Sequence, residues 1–168
     1  MATGSMIAAS AKVCRSYAER LTKGIEASKF ARKPKGVDAN HPAWILGHLS
    51  VYPDKLLPLL GRADVAQPVS ASLEAMFDLK SECRDDPDGS IYPPMAEIIE
   101  RYNARHDAVI GLLDETADDV FARPNTMAMQ DRFPTVGHIT TFMLIGHPML
   151  HLGQLSTWRR CMGMAAAK

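Results

Sequence analysis

Apolar residues in this 168-residue chain recur every three to four positions in four long stretches, and no stretch alternates apolar with polar. That period belongs to helices with one buried face. The chain is therefore expected to be all-α, its helices burying their stripes against one another. The first helix is expected from about 6 to 27, with Ile7, Cys14, Tyr17, Ala18, Leu21 and Ile25 on its stripe. The second starts behind Asn40, read as its N-cap, with Pro42 in the first turn. Its stripe holds Trp44 or Ile45, then His48, Leu49, Tyr52, Leu56, Leu59 and Leu60. Pro53 and Pro58 predict a kink or restart near Tyr52, and Gly61 ends it. The third runs from about 94 to 115 through Ile98, Tyr102, His106, Val109 and Leu113. The fourth is capped by Thr135, runs to about 162 and stops at Gly163. Its stripe reads Val136, Ile139, Thr140, Met143, Leu144, His147, Leu150, His151, Gln154, Leu155 and Trp158.

Four such helices predict a four-helix bundle in a single domain over 1–168, with about 1–5 and 164–168 frayed. Residues 62–92, rich in Ser and Asp and broken by Pro68, Pro87 and Gly89, read as a long crossover between helices two and three. It is expected to hold one short helix near 72–79 and to cross an end of the domain or shape a pocket.

Lys plus Arg equals Asp plus Glu, 19 each, and the charges are scattered. Such a chain has no electrostatic footprint for nucleic acid or an anionic membrane. No apolar run approaches the roughly 18 residues of a membrane span, and the start lacks the pattern of a signal peptide. Cys14, Cys83 and Cys161 form no CxxC pair, so neither a disulfide framework nor a thiolate zinc site is expected, and a cytoplasmic location fits. Cys14 and Cys161 are read as small core residues.

His147 and His151 stand four apart, which stacks two imidazoles on one helical face. His48 lies at the centre of another helix's stripe. A lone histidine on an apolar face is ordinarily a core residue, but three on facing stripes read as metal ligands. Three neutral imidazoles with one position left open is the arrangement of catalytic zinc. His106 faces inward as a fourth ligand, a supporting residue or plain core. His41 is two turns from His48, too far to share an ion, and His138 lies about 180° around the helix from His147. Gln154, Trp44 and Tyr52 are candidates to support the site or line a pocket, and Asp54 and Glu97 are the nearest carboxylates. Pro148, between the two histidines, removes a helical donor and biases His147 away from helical geometry.

The segments NHPAWILGHL at 40–49, TVGH at 135–138 and HPMLHLGQL at 147–155 resemble the DinB-like superfamily, over nearly the whole chain. The resemblance implies a four-helix bundle with a crossover, often a homodimer. It implies a metal triad of His48, His147 and His151 holding nickel or zinc, or in some members iron or manganese. Characterised relatives include thiol-dependent S-transferases and a thiol-dependent isomerase, which implies a small-molecule substrate and a low-molecular-weight thiol. The family's helix-four motif usually reads like HEAYHRGQ. Here Pro148 replaces the acidic residue and Leu152 the basic one, and His138 stands where the cap motif usually carries Glu. A metal-dependent transferase is therefore the first expectation. A metal-dependent hydrolase is the second, and a non-catalytic metal- or ligand-binding bundle the third.

Overall fold

The structure is a computed structural model, and it describes residues 2–67 and 69–167. The expectations for Pro68 and for Met1 and Lys168 fall on residues outside this set. The described residues are all-α and contain no strand; one isolated bridge joins Pro124 to Thr135. The helices are α1 (Thr3–Thr22), α2 (Pro42–Ser50), α3 (Ala71–Phe77), α4 (Met95–Leu113), α5 (Asp118–Ala122), α6 (Val136–Thr141) and α7 (His147–Cys161). A π-turn over Phe142–Gly146 joins α6 to α7 into one continuous helix.

The expected helices are present with shifted ends. α1 begins at Thr3 with Gly4 buried, so Thr3 to Ser5 form a helical turn and do not fray. The added order has a cause: Thr3 N–H donates to the Asp118 carboxylate at 2.8 Å. Gly4 also packs so closely on α4 that a Cβ there would lie 1.9 Å from the Leu113 carbonyl oxygen. Met164 and Ala167, likewise expected to fray, pack against the core, and Arg159 donates to the Ala165 carbonyl. The N-cap of α2 is His41 and not Asn40. His41 Nδ1 accepts from Trp44 N–H at 3.2 Å, and its Nε2–H donates to the Arg84 carbonyl at 2.8 Å. α2 ends at Ser50, and the chain restarts as a 3-10 turn over Pro53–Leu56, where the prolines predicted a break. Ser70 caps the short crossover helix α3.

α2 packs on α4, α4 on α1, α1 on α7, and α7 back on α2. The buried side chains form two clusters. One surrounds Ile45, Tyr102, Leu155 and Trp158; the other surrounds Leu56, Val109, Leu113 and Ile139. All nine residues of α2 are buried, not one stripe only. The cause is α3. Its Phe77 ring lies against Gly47, where any Cβ would sit 2.2–2.5 Å from ring atoms. The chain between α2 and α4 thus covers the second side of α2.

The fourth stripe holds from Val136 to Leu144 and again at Leu155 and Trp158, but it shifts just beyond the π-turn. Leu150, expected inside, is 66% exposed, while Leu152, not expected there, is fully buried. The π-turn is the cause. His147 N–H donates to the Phe142 carbonyl, five residues back, which adds a residue to that turn. One added residue turns α7 by about 100° relative to α6. Pro148 follows directly, in the first turn of α7. A wider turn spares the helix the donor that proline lacks and relieves the ring against the preceding turn. His147 keeps helical dihedrals, φ −62° and ψ −49°, despite the proline after it. Cys161 is exposed and not a core residue, whereas Cys14 is buried as expected; no cysteine is in a disulfide.

Candidate metal centre

The three histidines singled out by spacing converge. His48 comes from the last turn of α2, and His147 and His151 from the first turns of α7. One ligand nitrogen from each lies within 4.8 Å of the other two. His147 Nε2 is 3.1 Å from His48 Nε2 and 3.1 Å from His151 Nε2. Two nitrogens each about 2.05 Å from one ion, at angles of about 90–110°, are themselves about 2.9–3.4 Å apart. Both 3.1 Å separations fall in that range.

The far side of each ring decides what the near side offers. His48 Nδ1–H donates to the Phe77 carbonyl at 2.7 Å, which leaves its Nε2 as a lone pair. His151 Nδ1–H donates to Gln154 Oε1 at 3.0 Å, with the same result. Asn40 Nδ2 donates to that same oxygen at 3.4 Å. His147 Nδ1 is buried and has no partner. Two bare lone pairs thus flank His147 Nε2, which has at most one proton to offer. Lone pairs brought this close repel unless a cation lies between them, and orienting bonds of this kind are what metal-ligating histidines require.

The surroundings keep these rings neutral. Burial pushes the His48 pKa down to about 4, against the pull of the Phe77 carbonyl. Burial, then the neighbouring His151 and His48, push His147 down to about 3. His151 is also lowered, by burial first, with Gln154 opposing. Neutral imidazole is the form that binds a metal.

Aromatic rings frame the cluster. Trp44 stacks on His48 at 4.8 Å between centroids and 10° between planes, its indole N–H donating to Ser81 Oγ. Tyr52 presents its ring to His48 at 5.0 Å and to His147 at 5.5 Å. Phe142, from the π-turn, stacks on His147 at 5.7 Å.

Other residues fall elsewhere. His106 is buried on α4, its Nδ1–H donating to the Tyr102 carbonyl at 2.9 Å, and it is not part of the cluster. His41 caps α2, and His138 bonds Thr135, so neither joins the triad. Asp54 pairs with Arg105 at 3.4 Å and Glu97 is exposed; among the described residues neither hydrogen-bonds a histidine. Phe77, Asn40 and Phe142 were missed by sequence reasoning. Phe77 acts through its carbonyl, which no residue type announces, although Gly47 beside His48 was a signal that something packs closely there.

Among known proteins, no curated sequence matches the chain. Residues 11–155, which take in all three histidines and Gln154, match a family described as the DinB superfamily.

Proposed function

The chain belongs to the DinB superfamily, and we propose that it is a metal-dependent enzyme of thiol-transfer chemistry, with His48, His147 and His151 as the ligands of one divalent ion. The observation that carries this reading is the convergence of three Nε2 atoms, two of them stripped to lone pairs by Phe77 and Gln154. On this reading α1, α2, α4 and the joined α6–α7 are the four helices of a bundle, and the chain between α2 and α4 is its crossover. Affinity for nitrogen donors rises from manganese through iron to nickel, which favours nickel or zinc here.

A divalent ion held by His48, His147 and His151 would supply acidity enough to keep a thiol as thiolate, or to bring a water near neutrality. The chain's residues set the rest. Three neutral ligands leave the ion's charge uncompensated, so an anionic sulfur complements it. That thiol comes from outside. Cys14 and Cys83 are buried, with burial pushing the Cys83 thiol up to about 11. Cys161 is ten residues beyond His151, about 15 Å along the helix. Trp44, Tyr52 and Phe142 wall the site and restrict access of water to it. The same reading makes the molecule a homodimer, a second copy covering exposed apolar side chains such as Met149 and Leu150.

Elemental analysis and turnover test this. We expect about one ion per chain, lost in His151→Ala, and consumption of a low-molecular-weight thiol with an electrophile panel. Metal far below one equivalent, unchanged by His151→Ala, overturns the site. Ester or amide hydrolysis without thiol consumption assigns a hydrolase. A fully loaded protein inactive in both assays is a binding module.

A further inference from the structure

A cavity of about 260 Å³ lies between α2, α3 and α4. Gly47 and Ser50 line it, and they sit about 100° and 200° around α2 from His48, so it opens on the side away from the imidazoles. Its apolar wall includes Phe77, Leu73 and Ile98. Two arginines of α4, Arg101 and Arg105, also line it.

The arginines are not equivalent. Arg105 has a counter-ion: its Nη1 is 3.4 Å from Asp54 Oδ1, with both side chains about nine-tenths buried. Arg101 has none. Its Nε and Nη2 are shielded from solvent and without a hydrogen-bond partner. Arginine does not escape such a place by losing its proton. Asp54 is the buried carboxylate here, and it is paired with Arg105. Glu97 and Glu100 also line the cavity, but both are exposed, and among the described residues neither forms an ion pair with Arg101. Arg101 as a whole is half-buried, but two solvent-shielded guanidinium nitrogens without a partner beside a cavity call for an acceptor.

We propose that this cavity binds a small carboxylate, whose head neutralises Arg101 and whose short apolar body lies against Phe77, Leu73 and Ile98. One guanidinium without an acceptor calls for a single carboxylate head. The apolar wall favours a carboxylic acid over inorganic phosphate, and the volume, below the usual range for larger ligands, favours a fragment-sized one. Burial lowers the Arg101 pKa, with Asp54 raising it and Arg105 lowering it further. Phe77 belongs to both sites: its ring walls this cavity while its carbonyl holds His48.

Calorimetric titration of the full chain with benzoate, benzamide and inorganic phosphate tests the proposal. Benzoate is expected to bind at least about tenfold more tightly than benzamide, and Arg101→Gln to remove about that factor. Phosphate is expected to bind more weakly than benzoate. Equal binding of acid and amide, benzoate binding indifferent to Arg101→Gln, or phosphate outbinding benzoate each overturns it. The acid–amide comparison on the unaltered chain decides the matter even if Arg101→Gln fails to fold. A carboxylate also ligates metals, so the titration is repeated in His151→Ala. Undiminished binding there keeps the two sites separate, whereas its loss assigns benzoate to the histidines and overturns the proposal. A crystal structure with Arg101 turned onto Asp54 and the cavity closed also overturns it.

Discussion

Gln154 is a surface residue by exposure, yet its one oxygen meets both His151 and Asn40. Gln154→Leu removes the acceptor that fixes the His151 tautomer, and metal affinity is expected to fall about 10–100-fold with little loss of stability. Gln154→Glu keeps an acceptor and is expected to hold the metal at least as tightly. Competition against a chelator measures both. Acid acts on the same rings. His48 and His106 titrate at about 4 and His147 at about 3, against 6.5 unfolded. Below pH 6.5 the unfolded chain therefore binds more protons than the native one. The contribution of these neutral rings is complete above pH 6.5 and is lost as pH falls toward 4 and below. Thermal melts of the metal-free chain are expected to show a flat Tm above pH 7 and a decline between pH 6.5 and 4. The histidine triad was legible because ligand chemistry is written in residue type and spacing. Phe77 was not, because a backbone carbonyl is common to every residue. His41 displaced Asn40 as N-cap because an imidazole lone pair also accepts from the third residue on.

At the level of the element, sequence period located the helices and proline and glycine located their breaks. The period failed in two places for two different reasons. α2 carries an ordinary stripe, yet it is buried all round because a short helix from a polar segment covers its back. Such cover is a tertiary fact that the covered helix does not encode. α3 is also what holds His48 in place, through the same Phe77 that rests on Gly47. Gly47→Ala is expected to push that ring away. It should cost about 1–3 kcal/mol in urea unfolding and weaken metal binding in parallel, since the carbonyl moves with the ring. A fully stable Gly47→Ala protein with unchanged metal affinity would show that α3 does not position His48. The second failure is the slipped register of α7. A single added residue is invisible to a count that assumes 3.6 residues per turn throughout, although Pro148 marked the place.

Across the whole molecule, four apolar stripes, a short helix between the second and third of them, and three facing histidines are legible in the amino-acid sequence. Apolar side chains left in solvent are another matter. Met6 and Val13 on α1, and Met149 and Leu150 on the adjoining α7, are 43–66% exposed. Light scattering is expected to give twice the chain mass, and Leu150→Glu to shift it toward one. The chain must also satisfy two registers along α6 and α7. Val136, Ile139 and Leu144 are held by the core on one side of the π-turn, and Leu152, Leu155 and Trp158 on the other. The number of residues from 142 to 146 is therefore fixed by the two registers, apart from what each side chain does there. Loss of the Ile145 codon would leave every ligand and every buried residue encoded, yet set the two halves about 100° out of phase. An in-frame deletion of that one half-buried residue is expected to be as damaging as the loss of a histidine, while Ile145→Val passes unnoticed.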